Sequence, residues 1–228
     1  AWLAEKYQKA GNVYLGIPHR LDRATSGTLV FTRNSKAAAR VAEQFEKRQV
    51  TKIYWALLEN RPEAESGLLV DWLLKVPDQA ISEVVRADTV GAKEARLEYR
   101  TLRQIDGRWL VEVQLLTGRM HQIRAQFASR GCPVVGDTKY GAGEWLDKSS
   151  MNASMVEVSN NLVTDVSDGT SEFVDNSIRK VASDIRIALH ARSLSLLHPI
   201  RYNPLTIETP VPAYWNLSDE SFLRKLQS

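Results

Sequence analysis

The stretch ARLEYRTLRQIDGRWLVEVQLL, residues 95–116, decides the reading of the fold. Residues 95–102 and 109–116 flank Asp106-Gly107, a dipeptide that accepts the positive φ of a tight hairpin turn. In the second arm Trp109, Val111, Val113 and Leu115 alternate with Leu110, Glu112, Gln114 and Leu116, the period of a half-buried strand. Working outward, residues 52–58 (KIYWALL) and 26–33 (SGTLVFTR) read as strands upstream, and residues 187–196 and 205–209 as strands downstream, the last ended by Pro210 and Pro212. Shorter strands are placed at 68–70 and 81–86, after a loop marked by Pro62 and Gly67. Two helices interrupt the series. Ser35 is the expected N-cap of one, with Ala38, Val41, Ala42 and Phe45 at helical spacing. Residues 118–130 enter the other, with Met120, Ile123 and Phe127 as its apolar stripe. Hairpin strands with isolated helices predict an α+β fold, a mixed and mostly antiparallel sheet with flanking helices.

At 228 residues, 43% hydrophobic and 25% charged, the chain can bury a full core, and one domain over 1–228 is expected. No stretch approaches the roughly 20 apolar residues of a membrane span, and the first residues lack a signal peptide's apolar core. Cys132 is the single cysteine, so neither an internal disulfide nor a cysteine zinc site can form. A reducing, cytoplasmic setting is expected. His19, His121, His190 and His198 show no metal-ligand spacing, so neither metal nor organic cofactor is expected. The chain begins without methionine, which fits a piece of a longer protein.

Charge is unevenly placed. Residues 147–184 are rich in Ser, Asn, Thr and Asp and carry seven acidic against three basic side chains, leaving 27 basic and 20 acidic on the remainder. That basic remainder suits a polyanion such as RNA, although a solvated basic surface would look the same. The polar segment is expected to be a mobile surface insert that catalysis does not need.

Three segments could carry chemistry. In HRLDRATSG, residues 19–27, Arg20 and Arg23 bracket Asp22, and nearby cations keep a carboxylate ionised for use as nucleophile or base. An aspartate tied to an arginine merely to hold a turn is the plainer reading. In KIY, residues 52–54, Tyr54 offers a flat face for an unstacked base, but a strand tyrosine is more often packing. In LTGRMHQIR, residues 116–124, Arg124 lies beside Ile123 at the edge of the apolar stripe, where a guanidinium needs an acceptor, so a carboxylate is expected nearby. The Gly118 loop with Arg119 and His121 could also meet a phosphate, as many short glycine loops before helices could.

Taken together and in order, HRLDRATSG, KIYWALLE, LLTGRMHQIRAQFASRGCPVVGDTKYG, LHARSLSLLHPI and ETPVP resemble the RluA-type pseudouridine synthases. The likeness runs through residues 18–212 apart from the polar segment. It implies a pseudouridine synthase fold with its active site in a basic cleft, and isomerisation of uridine in ribosomal or transfer RNA. It further implies that Asp22 is the nucleophile, that Tyr54 packs on the target uracil, and that Arg124 pairs with Asp22, with Ile123 beside it at the substrate. Arg20 would help hold RNA with the base flipped out. A monomer without membrane partners is expected. The family usually carries a further N-terminal stretch with a Lys-Pro pair ahead of HRLD, and this chain starts 18 residues before that motif, so either a missing segment supplies that strand or the fold is trimmed.

Other classes compete. A catalytically idle RNA-binding module on the same fold would bind RNA without turnover. HRLD differs in order from the kinase HRD, and there is no glycine-rich nucleotide loop or DFG segment. A hydrolase built on the Gly118 loop lacks a nucleophile-base pair.

Overall fold

The computed structural model describes residues 8, 13–143, 162–165, 170–173 and 187–215. Their main body is one eight-stranded sheet. Its strands are β1 (Ser26–Gly27), β2 (Thr51–Leu58), β3 (Ser66–Val76), β4 (Ile81–Val85), β5 (Lys93–Ile105), β6 (Arg108–Leu115), β9 (Leu189–Leu197) and β10 (Pro204–Glu208). Along the sheet the order is β1-β9-β2-β6-β5-β3-β4, with β10 also paired to β9. Only β1 with β9 is parallel; every other pair is antiparallel. Helix α1 (Ser35–Glu46) and helix α2 (Gln122–Ala128) flank it.

The central hairpin forms as its turn chemistry requires. Asp106 and Gly107 have φ of 49° and 77°, both positive, so β5 and β6 meet with a twist that suits the flanking strands. Leu97, Leu110, Val111 and Val113 are fully buried there, and Ile123 and Phe127 of α2 pack into the same cluster. A second cluster joins Val30 and Val41 to Leu194, Leu196 and Ile207, and so seats α1 on β9 and β10.

Several expectations need correction. Of residues 26–33 only Ser26 and Gly27 are strand. Beyond them the chain leaves β9: the Val30 N–H is taken by the His19 ring at 2.9 Å, and Thr32 pairs with Gly16 instead. The N-cap of α1 is Asn34, whose side chain accepts the Ala37 N–H at 2.8 Å, and Ser35 is the first helical residue. Ala42 is exposed, and Gln44 takes its place on the buried face by bonding both the N–H and the carbonyl of Leu197. Strand β3 is eleven residues long rather than three. Helix α2 buries all of Gln122–Phe127 rather than one stripe.

Residues 147–184 lie largely outside the described residues. Within them Leu162–Asp165 (β7) and Thr170–Phe173 (β8) pair as a separate antiparallel hairpin. Among the described residues no helix is long and apolar enough to cross a membrane.

Candidate active site

The short parallel pairing of β1 with β9 places Asp22. Gly27, at φ 114°, lies so close to the Ala191 backbone that a side chain there would collide with it, which makes glycine obligatory. Ser26 is tied to the same strand through His190: its hydroxyl lies 2.9 Å from Nδ1, while Nε2 lies 3.1 Å from the Thr209 carbonyl. A carbonyl can only accept, so Nε2 carries the proton and Nδ1 accepts from Ser26. Burial keeps this imidazole neutral, with its pKa at about 4. Residues 22–25 close a turn by Thr25 N–H to Asp22 C=O at 2.9 Å. On the other side of β9, Tyr54 of β2 is in register with Ala191, so the Asp22 loop, which leads into β1, and Tyr54 flank β9 from either side.

His19 is a structural part of this loop. Its Nε2 accepts a backbone N–H, its ring stacks on Phe45 at 4.7 Å and 20°, and burial, with the charge of Lys52, lowers its pKa to about 4.

Arg124 projects from α2 between two carboxylates. Its Nε and Nη2 donate to Asp137 at 2.6 and 2.8 Å, a bidentate pair in which both side chains are almost fully buried. Its third nitrogen, Nη1, lies 3.7 Å from Asp22. The carboxylate required by Arg124 is therefore chiefly Asp137, with Asp22 in second place. The guanidinium also lies 4.9 Å over the Tyr140 ring. Despite the cost of burial, the Asp137 hydrogen bonds and the two carboxylate charges raise its pKa further, so it stays charged.

His121 completes the cluster. It sits at φ 53°, with Nε2 3.9 Å from Asp22 and Nδ1 3.0 Å from the Tyr140 hydroxyl. Desolvation lowers its pKa against the opposing pull of Asp22, so the ring is neutral near pH 7. Tyr140 also accepts the Ser82 N–H at 2.8 Å, which anchors the group to β4. Arg20 and Arg23 are exposed, and among the described residues neither ion-pairs with Asp22. The cation beside the carboxylate comes from α2 instead.

These side chains border a cavity of about 400 Å³ lined by Arg20, Asp22, Tyr54, His121, Ile123 and Arg124 among others. That volume admits a planar base and a ribose. Burial, reinforced by the Asp22 charge, pushes the Tyr54 phenol above its ordinary range, so it is a neutral aromatic wall. In the Gly118 loop the Arg119 N–H donates to the Gln122 side chain at 3.0 Å, and Arg119 Nε donates to the Glu94 carbonyl at 2.8 Å. Asp137 and Tyr140 lie in the stretch that follows the Gly118 loop and carries part of the resemblance, but the sequence assigns neither a role.

The sequence pattern of the RNA pseudouridylate synthase family matches residues 1–129, more than half the chain. This chain belongs to that family. An uncharacterised RNA pseudouridine synthase of Zymomonas mobilis is 39% identical over 145 residues, covering 62% of this chain and 66% of that one. The ribosomal large subunit pseudouridine synthase D of Xylella fastidiosa is 32% identical over 197 residues, covering 86% and 51%. The chain thus spans about half to two thirds of the length of these relatives. Among solved structures, human RNA pseudouridylate synthase domain containing 4 superposes with a TM-score of 0.62 at 26% identity, covering 89% of this chain and 73% of that one. The pseudouridine synthase fold and the α+β class are as the sequence implied.

Proposed function

We propose that this chain isomerises uridine to pseudouridine in structured ribosomal or transfer RNA, with Asp22 as nucleophile. The observation that carries the reading is a carboxylate at the wall of a base-sized cavity, held between a buried arginine and a neutral tyrosine. In the reaction the N1–C1′ bond of uridine breaks, the uracil turns, and C5 joins C1′ while the C5 hydrogen leaves as a proton to solvent and N1 takes up a proton. Atoms and charge balance without an oxidant or an energy donor. Asp22 supports detachment by adding covalently or by abstracting a ribose proton. Arg124, 3.7 Å away, sets a positive charge beside the carboxylate, and Tyr54 and Ile123 enclose the free uracil against water. Arg20, exposed at the rim, meets RNA phosphate. The enzyme acts as a monomer in the cytoplasm, with no metal or organic cofactor.

Tyr54→Phe keeps the stacking face, and turnover within about threefold of the parent is expected. Tyr54→Ala loses it, for a fall of about ten- to a hundredfold, the order of one base-aromatic stack of roughly 1–3 kcal/mol. Parent-like turnover by Tyr54→Ala would reduce Tyr54 to packing.

RNA affinity should fall steeply with salt, and turnover on an RNA that folds without magnesium should survive EDTA. Strict dependence on a divalent ion there would refute the cofactor-free reading. Mapping pseudouridine across ribosomal and transfer RNA, in cells with and without the gene, tests the function and finds the target. Identical maps would contradict it.

A further inference from the structure

The cavity at Asp22 adjoins a second one, of about 500 Å³, and the two share Phe45, Lys52, Leu115, Gly118 and Arg119. The second continues to Arg48, Val50 and Thr51, where α1 hands over to β2. Arg48, Lys52 and Arg119 line it against one carboxylate, Glu46. Among the described residues none of the three cations makes an ion pair. Lys52 Nζ reaches the Thr117 carbonyl at 3.5 Å, and Arg119 gives its Nε to a carbonyl, so among the described residues no anion neutralises either.

This is a costly arrangement unless an anion completes it. Lys52 is largely desolvated, and both burial and the nearby Arg48 charge weigh against its protonated form. Arg48 follows α1 at φ 57°, a left-handed position where glycine is favoured and where a side chain costs about 1–2 kcal/mol. The Gly118 backbone lies against the Lys52 side chain, where a Cβ would stand in ordinary contact with Nζ at 3.5 Å.

We propose that the second cavity is a phosphate subsite, in which Arg48, Lys52 and Arg119 hold the RNA phosphodiester next to the target uridine. This rests on the uridine reading of the first cavity. It separates two jobs on one strand: the first cavity recognises the base, and the second takes up the backbone of its neighbour, which fixes the strand's direction across the site.

The test measures binding of a fluorescent oligouridylate over a range of salt, alongside turnover of the parent on ribosomal and transfer RNA. Arg48→Gln and Lys52→Gln should each weaken binding about tenfold at moderate salt and lower the slope of log Kd against log salt by about 0.7, one phosphate contact on a single strand. Arg86→Gln, whose parent residue pairs with Asp88 on the exposed edge of the sheet, should leave the slope unchanged. An oligouridylate with neutral methylphosphonate linkages should no longer distinguish Arg48→Gln from the parent. Folding of each variant is checked by thermal melting, and exposed Arg48 keeps the test available should Lys52→Gln unfold. Parent-like affinity and slope for a folded Arg48→Gln would overturn the subsite, as would failure of the parent to bind oligouridylate at low salt. If the slopes fall while the parent turns over no RNA, the phosphate subsite stands and the isomerase reading falls.

Discussion

Asp22→Asn is expected to fold, to bind RNA as the parent does, and to lose isomerisation by at least about a thousandfold, roughly 4 kcal/mol of barrier. The exchange is nearly isosteric. The turn at residues 22–25 is closed through the Asp22 backbone carbonyl, which the substitution keeps, and Arg124 remains held by both of its bonds to Asp137. Only the anionic oxygen facing the cavity is lost, and an amide can neither add to C1′ nor take a ribose proton. A melting curve and filter binding to RNA register what is conserved. Turnover registers what is lost.

Arg124→Met should be damaged in both respects. It leaves Asp137, almost fully buried, without its bidentate partner, and breaking a buried pair from one side costs about 3–5 kcal/mol. Urea unfolding should therefore shift sharply to lower denaturant. At the cavity, Asp22 and Asp137 both lose the guanidinium that they face. Residual turnover should fall along with stability. Adding Asp137→Asn to Arg124→Met removes the stranded charge. Much of the stability should return in the double variant, but not the turnover, which separates the structural role of Arg124 from its role beside Asp22. A single Arg124→Met variant with parent stability would contradict the pairing.

The hairpin of β5 and β6 was legible because its turn demands positive φ at two successive residues, and Asp106-Gly107 is among the few pairs that supply it. The start of α1 was misplaced by one residue because Asn34 and Ser35 are both good caps, and only the geometry chooses between them. Strand β3 was under-read for a different reason: among its eleven residues only Leu73 is buried, so it shows no alternation to detect. Residues 26–33 were over-read because composition favours a strand, whereas pairing with β9 ends after Gly27.

In the site, a stranded guanidinium at Arg124 implied a carboxylate, but local sequence cannot say which one. Asp137 is reached only after the chain turns back from α2, and Asp22 arrives by way of β9. For the same reason Arg20 and Arg23, adjacent in sequence, looked like the partners of Asp22, although their side chains face solvent. Lys52 and Arg48 carried no signal of a shared cavity, because it exists only where α1, β2 and the Gly118 loop converge.

The most direct measurement is tritium release from RNA labelled at uridine C5, since that hydrogen leaves only when the new carbon–carbon bond forms. With ribosomal and transfer RNA as substrate, the parent should release tritium over repeated turnovers in the presence of EDTA, and a well-folded Asp22→Asn protein should release none above background. Near-normal release by Asp22→Asn would contradict the assignment of Asp22. No release by the parent from any such RNA, with tight binding retained, would mean that this fold serves here as an idle RNA-binding module.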